Sequence, residues 1–253
     1  MKTVPENERE FFIGYDPPLP PRLGRFVARV VWVIGAGALM WSAVAASGHV
    51  PLEGGLFEYG HPDSFEGVIH EKPYPTLAVS GQERLLLVLP GKHGADAYVH
   101  GLEGRKVTLR GTRIMRNGHI MVEVEPGTLT ADVAIDVPVG HLLEEGVVST
   151  SIRLSGEIVD SKCFLGVMVP GSGKTHKECA ALCLRGGIPP ALYVRDRENR
   201  TALLLLTGPS GEALGQRAAP IVGEPIAMTG RLERQGNWFV LKTDPATWEL
   251  LSR

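Results

Sequence analysis

All three cysteines of the 253-residue chain lie in one stretch, DSKCFLGVMVPGSGKTHKECAALCLRGGIPP, at Cys163, Cys179 and Cys183, with His176 among them. Thr175-His-Lys-Glu178 has the pattern of a capping box: a Thr hydroxyl accepts from a backbone N–H, and a Glu three residues on reaches back. Gly186-Gly187 and Pro189-Pro190 are stop signals. The pattern predicts a helix of about ten residues from His176. At about 100° per residue, positions 176, 179 and 183 fall within about 60° of one another. One imidazole and two thiols then share a face, and Cys163, just after a predicted strand, can join them across the loop.

Three chemistries use such a set. A metal site of Cys163, His176, Cys179 and Cys183 employs every cysteine and suits zinc; copper also accepts soft ligands, with Met168 as a weak extra one. Outside the cytoplasm cysteines tend to pair, and a Cys163–Cys179 or Cys163–Cys183 bridge would staple the loop and leave one thiol over. A reactive thiolate with His176 as base is the third. The C-x-x-C-H run of c-type haem attachment does not occur. Nor does a nucleotide site fit MVPGSGKTH (168–176), because the first glycine of G-x-x-x-x-G-K-[ST] is replaced by Met168. Its glycines read instead as the turn that returns the chain from Cys163 to the helix.

The run D-x-x-C followed by G-x-x-H-x-x-C-A-x-x-C-x-x-x-G-x-P stands here as Asp160, Cys163, Gly173, His176, Cys179, Ala180, Cys183, Gly187 and Pro189. It resembles a group of bacterial exported or membrane-anchored proteins with a small OB-like barrel. The resemblance covers about 152–248 and implies an accessory part of membrane redox or respiratory machinery. No catalytic residue carries over with it.

The elements that must position these residues repeat. Gly104-Arg-Lys-Val-Thr-Leu-Arg-Gly111 matches Gly223-Glu-Pro-Ile-Ala-Met-Thr-Gly230, each the alternating pattern of a half-buried strand between glycines. FEGVIH (65–70) matches LSGEIV (154–159), RLLLVLPG (84–91) matches TALLLLTG (201–208), and HIMVEVEP matches NWFVLKTDP. Asn117-Gly118 is a hairpin signal. The fold expected is mainly β: an N-terminal transmembrane helix, then two small OB-like barrels, the second with a short Cys/His-bearing helix. The boundaries are a Pro-rich cytoplasmic tail over 1–29, an anchor over 30–50, a first module over 62–126, a linker over 127–151 and a second module over 152–248.

VVWVIGAGALMWSAVAASGHV (30–50) holds no charged residue and is long enough for one span. Arg22, Arg25 and Arg29 precede it and no Lys or Arg follows before Lys72, so the positive-inside rule puts the amino terminus in the cytoplasm. Ala43-Val44-Ala45 also has the form of a signal-peptide cleavage site. A net charge of −2 supplies no field for nucleic acid. These features lead to a single-pass protein of the bacterial inner membrane with its bulk in the periplasm. It is expected to be a non-catalytic accessory that presents the Cys/His site to a membrane-associated electron-transfer or cofactor-assembly complex. A scaffold subunit with a disulfide-stapled barrel and a thiol-based redox enzyme are the alternatives.

Overall fold

The computed structural model describes residues 21–48, 54–79, 83–132 and 145–251. The proline-rich stretch before Pro21 and most of the segment VAIDVPVGHLLEEG lie outside them. Residues 1–52 and 53–253 form separate compact units.

The first unit contains helix α1 (Pro21–Gly48). Residues 21–47 have a mean hydropathy of 1.8 in their most apolar window and bury none of it, which is long and apolar enough for a membrane span or a signal sequence. The helix starts before the uncharged run. Residues 21–29 were expected to belong to the Pro-rich tail, but Pro21 is tolerated in a first turn, where its missing N–H has no intrahelical partner to lose. Arg22, Arg25 and Arg29 are thus helical.

The second unit holds β1 (Leu56–Phe57), β2 (Asp63–His70), β3 (Thr76–Ala78), β4 (Arg84–Leu89), β5 (His93–Gly94), α2 (Asp96–Val99), β6 (Lys106–Arg116), β7 (His119–Val124) and β8 (Thr130–Ala131). It continues with β9 (Glu145–Asp160), α3 (Lys177–Arg185), β10 (Pro190–Arg195), β11 (Thr201–Thr207), α4 (Gly215–Ala218), β12 (Pro225–Gln235), β13 (Trp238–Thr243) and β14 (Glu249–Leu250). Strands β2, β3 and β4 form an antiparallel meander. β7 then pairs parallel to β4 and antiparallel to β6, and β6 returns to β2, closing a five-stranded barrel. β9, β10 and β11 repeat the meander; β13 is parallel to β11, and β12 links β13 to β9. Two barrels with the strand order 1-2-3-5-4-1 and a short helix between strands three and four have the OB topology.

Each pair of matching sequence segments occupies one topological position: first strands β2 and β9, third strands β4 and β11, fourth strands β6 and β12, fifth strands β7 and β13. The matched glycines share a cause as well. A Cβ on Gly67 would lie 2.4 Å from the Ala78 carbonyl, and one on Gly156 would lie 2.3 Å from that of Tyr193. Both first strands bend tightly against the second there. β9 starts at Glu145, inside the stretch read as linker, and its first residues form a ribbon with the end of β12.

The barrels share a core. In β4, Leu85 and Leu87 point into the first barrel, whereas Leu86 and Val88 join a cluster between the two. In β11, Leu204 and Leu206 fill the second barrel and Leu203 and Leu205 face the first. Both third strands are thus buried on both faces, the condition that turns an alternating pattern into a continuous apolar run such as RLLLVL. Polar contacts seal the seam. Tyr74 Oη donates to Leu206 O at 2.5 Å, Trp238 Nε1 to Arg84 O at 2.8 Å and Arg84 N to Asn237 Oδ1 at 2.8 Å. His119 stacks on Trp238, with ring centroids 4.4 Å apart.

Candidate thiol and metal site

Where β2 passes to β3 through residues 71–75, β9 passes to β10 through residues 161–189, and the cysteines lie in that longer connection. β9 ends at Asp160. A single wide turn, Cys163–Val167, follows and closes with Met168 N donating to Cys163 O at 3.2 Å. The chain then doubles back on itself at Gly171, where a Cβ would lie 2.6 Å from Cys163 O. A 3-10 turn, Lys174–His176, leads into α3.

The helix begins one residue later than the sequence pattern suggests, and the expected capping box is absent. Neither Gly173 nor His176, the residues flanking the 3-10 turn and the helix, makes a side-chain cap bond. The cause is the 3-10 turn, which takes up Thr175 as an internal residue. The phosphate-loop look-alike spends its polar groups on neighbouring carboxylates. Gly173 N donates to the Glu157 carboxylate, and Lys174 pairs with Glu224 at 3.7 Å.

The structure brings the four proposed ligands together in two overlapping groups, not one. Sulfurs of Cys163, Cys179 and Cys183 lie within 4.8 Å of one another. His176 belongs to the other group, with Asp160 and Cys163, also within 4.8 Å. Cys163 is common to both. His176 Nε2 lies 2.9 Å from Asp160 Oδ2, and the other carboxylate oxygen accepts from Cys163 N at 2.8 Å. Asp160 is fully buried and His176 is 4% exposed, so the acid is the partner that a buried imidazole and an otherwise unpaired amide require. The four residues expected to share one metal thus fall into two sets that could each hold an ion, three thiols in one and His176 with Cys163 and Asp160 in the other.

All three cysteines are free thiols; Cys163 and Cys183 are buried and Cys179 is half-buried. Beside Cys179 stands Lys92, not His176. Lys92 Nζ donates to Cys179 Sγ at 2.8 Å, lies 3.4 Å from Cys179 O, and is 3.7 Å from Cys183 Sγ. Lys92 comes from the first barrel, in the turn between β4 and β5. The bond to Cys179 raises its pKa. Cys163 donates its S–H to Cys183, and this bond, with burial and the nearby Asp160 charge, holds Cys163 protonated. The same bond, helped by Lys92, lowers the Cys183 pKa against the effect of burial.

Lys162, beside Cys163 in sequence, fixes the turn that carries Lys92. Its Nζ is 2% exposed at the side chain, pairs with Glu123, and donates to Leu89 O at 2.8 Å and Gly91 O at 2.7 Å. Gly94 N donates to Gly186 O at 2.9 Å, and a Cβ on Gly186 would fall 1.8 Å from Lys92 O. Lys92 and Lys162 were not legible as site residues, since both act across the barrel seam. The D-x-x-C spacing was the one sequence signal for Asp160.

No family model matches the chain, and no curated protein matches it. Among solved structures, the single-stranded DNA binding protein of Thermus aquaticus is 14% identical at a TM-score of 0.22, covering 79% of this chain and 95% of that one. A deletion mutant of the same protein is 14% identical at 0.21, covering 80% and 97%. Scores at this level bear on neither fold nor activity, and the OB architecture of this chain stands on its strand order.

Proposed function

We propose that the protein is a membrane-tethered accessory factor whose barrel pair holds a thiophilic metal ion, zinc or copper, in the trio Cys163, Cys179 and Cys183. The observation carrying this reading is the trio itself: three sulfurs within 4.8 Å, delivered by a turn and a helix, two buried and one half-exposed. Three protein ligands leave a fourth position for water or for a donor from another molecule, the arrangement of open metal sites. His176 and Asp160 brace Cys163 from behind, as groups beyond the ligands do in such sites. The apolar helix supports a tether, and its arginine-rich flank supports a cytoplasmic amino terminus with the barrels on the outer face of a bacterial inner membrane. The resemblance at 152–248 supports service to membrane redox or cofactor-assembly machinery.

Elemental analysis of the full chain purified in mild detergent tests the ion. About one zinc or copper per chain, lost in Cys183→Ser, is expected; a metal-free protein indifferent to that substitution sinks the reading. The same sulfur spacing favours a second reading, a disulfide within the trio. Alkylation followed by intact-mass measurement separates the two, since a bridge leaves one cysteine to modify and the metal reading leaves three after chelation.

A further inference from the structure

We infer that Lys92 is an integral member of the metal site, a fixed counter-charge supplied by the first barrel that matches the trio to a divalent ion. The inference rests on the metal reading above and assigns a role to a residue outside the cysteine segment.

Geometry sets Lys92 apart from a surface lysine that happens to lie nearby. Its ammonium donates to one ligand sulfur, lies 3.7 Å from a second, and is close to the carbonyl of Cys179. Both of these sulfurs belong to α3, and the third, Cys163, comes from the turn after β9. The turn that carries it is pinned on both sides: Lys162 bonds Leu89 O and Gly91 O, Gly94 N donates to Gly186 O, and Lys92 O lies against Gly186. A competing cation would sit on a mobile arm that could leave; this one is held.

Charge then decides its effect. Three thiolates and a divalent ion carry one net negative charge, two of the sulfurs are buried, and the Asp160 carboxylate beside Cys163 adds to the negative potential there. Leaving that charge unbalanced in a poorly solvated place is costly, and an ammonium bonded to sulfur from outside the coordination sphere removes it. A monovalent cuprous ion would leave a negative charge even with Lys92 present, so the site favours zinc-like ions. Binding releases the protons that the thiols still carry, among them the one Cys163 shares with Cys183.

Cobalt(II) titration of the full chain in detergent, read by the thiolate-to-cobalt charge-transfer band and by competition with a chelator, tests this. Lys92→Met is expected to weaken binding by about 10–100-fold, the usual loss when a group behind the ligands is removed. Lys92→Arg keeps the charge and stays within a few-fold of the wild type. Lys92→Gln repeats the neutral case should the Met variant unfold. Undiminished or tighter binding by the neutral variants overturns the inference while leaving the metal reading intact, as does an Arg variant no better than Met. A wild type that takes up neither cobalt nor zinc overturns both.

Discussion

The two barrels differ most in the connection between their first and second strands. In the first, residues 71–75 make the passage, and Tyr74 reaches over to the Leu206 carbonyl and receives the Leu214 N–H. In the second, the passage takes residues 161–189, and its opening residues reach back: Lys162 grips Leu89 and Gly91, and Arg116 of the first barrel donates to Phe164 O at 2.7 Å. Both connections therefore dock one barrel on the other, and the short one shows how few residues that needs. What the longer one adds beyond docking is the turn, the helix and the three thiols. The repeated barrel is the frame, and the longer of two equivalent connections carries the three thiols.

Several substitutions would break or sharpen this contrast. The largest effect is expected at the shared seam. Trp238→Ala removes a fully buried ring, its bond to Arg84 O and its stack on His119. It should cost about 3–5 kcal/mol. Urea unfolding should remain one transition, because opening the seam exposes Leu86 and Val88 of one barrel and Leu203 and Leu205 of the other; two separate transitions would show that the barrels are independent. Lys162→Met should cost about 3 kcal/mol in the same assay, since it leaves two carbonyls and Glu123 without their buried cation. If the equivalent docking contact of the short connection is weaker, Tyr74→Phe should cost only about 1 kcal/mol.

Gly186→Ala acts at the contact between the β4–β5 turn and the helix end. With a methyl forced against Lys92 O, the turn must shift, at about 1–3 kcal/mol. Cys179, losing its ammonium neighbour, should alkylate at a changed rate, whereas an alanine at the exposed Gly146, where a Cβ meets open space, should leave that rate alone. The smallest effect is electrostatic. Burial lowers the His119 pKa below the ordinary histidine value. The unfolded chain then holds the proton more readily, so this contribution to stability is complete above about pH 6.5 and is lost as pH falls through the folded value. His119→Phe keeps an aromatic ring over Trp238 and should flatten that part of the pH profile.

The repeats were legible because glycine turns and period-2 alternation are local signals, and every matched segment landed on the equivalent strand. The pairing of Cys179 and Cys183 was legible for the same reason, as residues one helical turn apart. The partner of His176 was not legible, because the Asp160 carboxylate that bonds the imidazole lies sixteen positions earlier in the chain. Lys92 and the common core depend on contacts between residues far apart in sequence, to which alternation is blind. One trace did exist: RLLLVL and ALLLL are too uniformly apolar for strands with a wet side.

Strands buried on both faces also restrict how such a protein can be divided. Cutting the pair after β8 would turn Leu86 and Val88 of one half, and Leu203, Leu205 and Trp238 of the other, from interior into exterior. Each fragment would carry an adhesive apolar stripe and would seek a substitute for its lost companion. The halves resemble beads in their strand order alone. Their shared interior makes them one indivisible folded body.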